Sequence, residues 1–145
     1  VSIGTRMGIP KDSLQNILDQ KAFCVNIVTE AQAVQMNETS ADFPPEQDEF
    51  ERVGLPIGVA EKVGAPYVAN CPAVLECELF KELNLGDAGS MIIGEVKAVR
   101  LDPSLEFKEG SFLVDTKVLR PVARLGGPEY TLLGDILIIP RPTRK

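Results

Sequence analysis

The sequence predicts a mainly β domain with short helices inserted, either a β-barrel or an α+β arrangement. Three observations predict it. Apolar, β-branched segments recur along the chain without the regular strand–helix alternation of a parallel sheet. Two alternating segments, 73–80 and 91–101, flank Gly86-Asp87 and Gly89, and so read as an antiparallel hairpin. The 145 residues are 44% hydrophobic and 25% charged, a balance that suits one domain with a sizeable core.

The elements follow in chain order. Val1-Ser2-Ile3 reads as the end of a strand, and residues 4–10 form a turn-rich link with two glycines and a proline. Leu14, Ile17 and Leu18 recur at helical spacing after Lys11-Asp12-Ser13. A helix therefore starts there and ends near Gln20, with Asp12 or Ser13 as its expected cap. Residues 22–28 are apolar and β-branched, a buried strand. Thr29 is the expected cap of a second short helix over 30–36. Pro44-Pro45 forbid regular structure in the polar stretch 37–47, and residues 49–53 make a helical turn that Gly54 closes. The 55–72 segment, with glycines and prolines but few polar residues, predicts an ordered connection holding one short strand. Beyond the hairpin, residues 112–114 are apolar, Asp115 caps a turn that Pro121 stops, and residues 136–139 are a final apolar run before a basic tail from about 140. Residues 1–145 are expected to form a single domain without repeats.

Composition narrows the function. The formal net charge is −6, so the chain has no broad electrostatic reason to coat nucleic acid or an anionic membrane. No run approaches the roughly 18 apolar residues of a membrane span, and no secretory leader is visible. Cys24, Cys71 and Cys77 form no Cys-x-x-Cys pair and sit in apolar stretches, which predicts core thiols in a reducing cytoplasm. The sequence contains no histidine. The usual general base, the commonest metal ligand and the standard nucleophilic triads are thereby removed. No metal site is expected, and an enzyme of this composition relies on a bound cofactor.

Three segments are candidates for binding chemistry. In the first, Ser2, Gly4, Thr5 and Arg6 precede Lys11 and Ser13 at a helix start, where free N–H groups, hydroxyls and two cations can converge on an anion. The bland alternative is a capped helix with solvated basic residues, and the spacing matches no Walker or Gly-x-Gly-x-x-Gly loop. The second is the polar loop carrying Asn37, Thr39, Ser40 and Phe43, which either lines a pocket or lies exposed. The third, 120–130, holds Arg124, Gly126, Gly127 and Tyr130. Its glycines permit close approach to a flat ligand or simply make a tight turn.

Taken in order, these segments resemble a known family. Ser-Ile-Gly-Thr-Arg with Lys-Asp-Ser-Leu-x-Asn-Ile, then Phe-x-Val-Asn-Ile-Val-Thr, is similar to the flavin reductase-like family with its FMN-binding split barrel. So are Met-Asn-x-Thr-Ser-Ala-Asp-Phe-Pro-Pro from Met36, Ile92-Ile93-Gly94-Glu95-Val96, and Leu-Arg-Pro-Val-Ala-Arg-Leu-Gly-Gly ending at Tyr130. The resemblance implies a Greek-key split barrel that forms a homodimer, binds FMN and uses NAD(P)H. Lys11 and Ser13 would hold the FMN phosphate, with Ser2, Gly4, Thr5 and Arg6 beside it. The loop from Asn37 to Phe43, including Thr39 and Ser40, would approach the flavin ring, and Arg124, Gly126 and Gly127 would lie near the cofactor or the dimer seam. Members of that family place further barrel strands ahead of the Ser-Ile-Gly segment, so the barrel is expected to be incomplete at its N-terminal side. The expected function is an FMN flavoprotein, an NAD(P)H-dependent flavin reductase or FMN-dependent oxidoreductase, with no catalytic residue named. The alternative is a non-catalytic binding or assembly module on the same scaffold.

Overall fold

The computed structural model describes residues 1–41, 43–44 and 47–143. Asp42, Pro45 and Glu46 of the polar loop, and the last two residues of the basic tail, lie outside them. The short β1 (Ser2–Ile3) is followed by β2 (Thr5–Arg6) and β3 (Ile9–Pro10), then by helix α1 (Asp12–Gln20) and strand β4 (Ala22–Asn26). A 3₁₀ turn at Glu30–Gln32 leads into α2 (Ala33–Glu38), and α3 (Glu49–Val53) precedes β5 (Ile57–Val59) and β6 (Pro66–Val68). The long strands β7 (Ala73–Asn84) and β8 (Ser90–Leu101) follow, then α4 (Thr116–Leu119), β9 (Val122–Gly126) and β10 (Glu129–Leu132).

The main sheet has the order β1-β8-β7-β4, antiparallel throughout. Three strands consecutive within it, β4, β7 and β8, lie side by side, and β1 returns beside β8. That is Greek-key order. Three two-stranded ladders, β2–β3, β5–β6 and β9–β10, complete the strands, and among the described residues no ladder joins them to the main sheet as a closed barrel. No described helix is long and apolar enough to cross a membrane.

Alternation along β4 explains how both faces of the sheet are covered. Phe23 pairs with Cys77 and Cys24 with Glu76, so neighbouring side chains point to opposite faces. On the first face Phe23, Leu79 and Ile3 pack with the buried Leu14, Ile17 and Ile92, which seats α1. Gly94 makes this possible, because a Cβ there would sit 2.6 Å from the Phe23 ring. On the second face Cys24 joins Val74, Tyr67, Cys71 and Ala60, which seats the β5–β6 ladder. The three thiols are free, with Cys71 and Cys77 buried.

Local expectations meet the structure unevenly. The 73–80 and 91–101 hairpin forms and extends to twelve residues on each strand. Gly54 closes α3 in the left-handed conformation, and the Asp115 side chain accepts from the Lys117 N–H to cap α4. Neither Asp12 nor Ser13 caps α1, however. Lys11 holds the N-cap position in extended conformation with no side-chain cap, and its carbonyl accepts from Leu14 at 2.9 Å. Asp12 and Ser13 are already inside the first turn, where their side chains are past the capping position. Thr29 occupies the N-cap of the 3₁₀ turn, but its hydroxyl donates to the Gln32 amide oxygen instead of capping. The link 4–10 folds into the β2–β3 ladder around Met7 and Gly8, both at positive φ, the geometry of a tight hairpin turn. The 55–72 connection carries two strands in place of the one expected.

Candidate functional site

The N-terminus of α1 is the place where the structure gathers most of the sequence-predicted residues. Because Lys11 is extended and no side chain caps the helix, the first-turn N–H groups of Asp12 and Ser13 remain available to an outside acceptor. The helix dipole adds partial positive charge at the same point.

Three cavities meet at Ser13. An open groove of about 620 Å³ runs between α1 and β4, lined among others by Ser2, Gly4, Lys11, Ser13, Asn26 and Phe50. A second, of about 530 Å³, lies between the β2–β3 turn and the polar loop, lined by Arg6, Lys11, Ser13, Thr39, Ser40 and Phe43. A third, of about 330 Å³, sits behind Ser13 at the end of β4, where Thr39, Phe50, Asn26 and Gln32 contribute. Among the described residues, the cations Arg6 and Lys11 and the carboxylates Asp12 and Glu49 all line the second cavity. The free N–H groups and the Ser13 hydroxyl add donors for an anion at the same point.

The remaining predicted residues have other partners. Thr5 donates its hydroxyl to the Asp87 carbonyl at 2.8 Å, fastening β2 to the β7–β8 turn, and it lines none of these cavities. The Thr39 and Ser40 hydroxyls donate back to the Met36 and Asn37 carbonyls at 2.7 and 2.6 Å, which finishes α2 and leaves their oxygens as acceptors. Phe43 lies under the Arg52 guanidinium, 5.9 Å from ring centre to charge. Arg124 and Gly126 lie on β9 and Gly127 in the turn to β10, and none of them lines the cavities at Ser13. Arg124 donates to the Gly127 carbonyl at 2.8 Å and lies 5.6 Å over the Tyr130 ring. The Tyr130 hydroxyl in turn reaches the Asn37 side-chain oxygen at 3.4 Å, so this turn touches the polar loop.

Sequence reasoning passed over Asn26 and Phe50, which line two cavities each. A signal existed for both. Asn26 is the polar residue inside an otherwise apolar strand, and its side-chain oxygen accepts from the Val68 N–H at 3.0 Å. Phe50 is an aromatic in an acidic stretch, fixed because the Asp48 carboxylate accepts from its N–H at 2.8 Å. No described group of three or more metal-ligating side chains comes together. The thiols are not poised for reaction. Burial, aided by the nearby Glu76 carboxylate and Cys77, pushes Cys24 up from 9.0 to about 11, and burial raises Cys71 and Cys77 as well.

Comparison with known proteins bears on the family and the fold. The family described as Flavin reductase like domain matches residues 1–117. An uncharacterized protein of Halalkalibacterium halodurans is 34% identical across 99% of this chain and 70% of its own length. Nitrilotriacetate monooxygenase component B from Bacillus cereus superposes with a TM-score of 0.87 at 27% identity, covering 96% of this chain and 70% of that one. The 2-nitrobenzoate 2-nitroreductase of Pseudomonas fluorescens gives 0.80 at 31% identity, over 91% of this chain and 65% of that one. The chain spans 52% to 72% of the length of four curated relatives it matches.

Proposed function

Because the chain belongs to the flavin reductase-like domain family, we propose that it is an FMN-binding flavoprotein, an NAD(P)H-dependent flavin reductase or FMN-dependent oxidoreductase. The observation that carries this is the uncapped start of α1 at the junction of three cavities. A phosphate placed there accepts from the Asp12 and Ser13 N–H groups and the Ser13 hydroxyl, with the Lys11 ammonium alongside. Arg6, Ser2 and Gly4 border the same point, and Thr5 keeps that border in place through Asp87. The loop of Asn37, Thr39, Ser40 and Phe43 shields the ring end from water, steadied through Tyr130 by the turn holding Arg124, Gly126 and Gly127.

When bound, FMN would supply the redox chemistry, as the carrier between a nicotinamide donor and an acceptor. The protein's part is to anchor the phosphate, orient the ring and exclude solvent, none of which calls for a histidine. The proposal includes a homodimer working in the cytoplasm, with residues 1–145 acting as one domain.

One observation favours a binding module without flavin: among the described residues, the carboxylates Asp12 and Glu49 line the phosphate cavity beside Arg6 and Lys11. A visible spectrum separates the two readings. Protein incubated with FMN and then desalted should keep the flavin absorbance bands and oxidise NADH or NADPH when assayed. Protein that neither retains FMN nor supports flavin-dependent NAD(P)H oxidation overturns the flavoprotein reading and leaves the module.

A further inference from the structure

Two surfaces of this molecule are apolar, exposed and patterned alike. The first lies on β8. Met91, Ile93 and Glu95 alternate on one face of an unbroken stretch of strand, since the intervening Ser90 and Ile92 are buried on the other. Met91 and Ile93 remain 41% and 39% exposed, with Leu83 paired beside Met91. Beyond them Glu95 stands directly opposite Glu78, and Lys97 bridges both carboxylates, at 2.8 and 3.0 Å. Two negative charges there share one cation, which leaves a net charge of −1 and room for another.

The second surface is the segment that follows β10. Leu137, Ile138 and Ile139 are 81%, 81% and 77% exposed, and Arg141 follows two residues later. Among the described residues no backbone hydrogen bond ties 133–143 to the rest of the chain. In extended conformation Leu137, Ile139 and Arg141 project on one side at every second residue, about 6.6 Å apart. The row on β8 has the same period: two apolar side chains and then a charge of opposite sign.

We propose that the 136–141 segment of one copy lies on the β8 row of a second copy, with Leu137 and Ile139 against Met91 and Ile93 and with Arg141 at the Glu78–Glu95 pair. Within a single chain both surfaces stay open at once, so neither covers the other. A two-fold arrangement covers both segments and both rows together, because each copy offers the same pair of surfaces. Apolar area of this kind, rimmed by charge, marks a protein contact. The inference rests on the two-copy part of the proposed function and is independent of flavin.

The test is sedimentation equilibrium of the 145-residue chain, with circular dichroism and FMN retention followed in parallel. The unaltered chain should be a dimer at micromolar concentration. Leu137→Asp with Ile139→Asp should weaken dimerisation at least 100-fold while the circular dichroism spectrum is kept. Arg141→Glu and Glu95→Arg should each weaken it about tenfold, and the two together should recover most of the loss. A chain that is monomeric at about 100 μM, a dimer indifferent to the Leu137/Ile139 change, or a charge swap without recovery each overturns the proposal. FMN retention reports separately on the α1 site, so loss of one does not imply loss of the other.

Discussion

Replacing Gly89 by alanine puts a methyl group where the backbone of β1 already lies. Gly89 has φ 102° and ψ −144°, a region that only glycine adopts readily, so any side chain there costs about 1–3 kcal/mol. Its Cβ would also fall on the Ile3 carbonyl oxygen and 2.7 Å from the Gly4 Cα. Both obstacles are main chain and cannot rotate away. Relief requires β1 to leave its pairing of Ser2 with Met91 and Ile3 with Ser90, at about 1 kcal/mol net for each hydrogen bond lost. The sum is about 3–5 kcal/mol. For a chain of this length each kcal/mol lowers the melting temperature by about 2–4 °C, so a fall on the order of 6–20 °C is expected. Thermal unfolding by circular dichroism measures it, with two further glycines as internal standards. Gly64→Ala has positive φ but open space around the new methyl, and should cost only about 1–2 kcal/mol. Gly126→Ala has neither obstacle and should change little. If Gly89→Ala melts with Gly64→Ala, the backbone collision is not real and the reasoning fails. Because β1 runs straight into the loop before α1, Gly89→Ala should also weaken FMN retention at temperatures below its melt.

Three further expectations can be measured directly. Lys11→Ala should raise the FMN dissociation constant about tenfold or more, the worth of a charged hydrogen bond, with no loss of fold by circular dichroism; unchanged affinity would place the phosphate elsewhere. The buried Glu76 carboxylate accepts from the Lys62 N–H at 2.8 Å. Glu76→Ala should therefore destabilise by about 1–3 kcal/mol, and Glu76→Gln should restore most of it, since the amide oxygen can still accept; equal melting of the two variants would refute this. The Cys24 thiol is pushed up to about 11 in the folded protein from 9.0, chiefly by its partial burial. With the folded value raised, its contribution to stability is complete below pH 9.0 and is lost as pH rises towards about 11. Denaturant unfolding across that window should show the decline, and Cys24→Ser should flatten it; an identical slope in the variant would assign the decline to other groups.

What could be read in the sequence was set by interactions a few residues long. Leu14, Ile17 and Leu18 announced α1 by their spacing, and Gly54 and Asp115 marked helix ends because capping spans a single turn. The β7–β8 hairpin was legible from alternation and its glycine-rich reversal. The cap of α1 was misplaced because Asp12 and Ser13 both have the right chemistry, and only the backbone angles of Lys11 show where the helix starts.

The sequence by itself therefore determined the mainly β class, the positions of α1, β4 and the β7–β8 hairpin, the absence of histidine chemistry and the ordered motifs that pointed to a flavin-binding family. Tertiary structure decided which of those motifs share a space. It placed Ser13 at the meeting of three cavities, gave the Thr5 hydroxyl to Asp87 and brought Tyr130 to Asn37. It brought Asn26 and Phe50 into the cavities and set Glu95 against Glu78. Each of these depends on strand register and on packing between residues distant in sequence. A local pattern of side chains constrains its own few turns or rungs, but carries no distance to a partner eighty or ninety residues away.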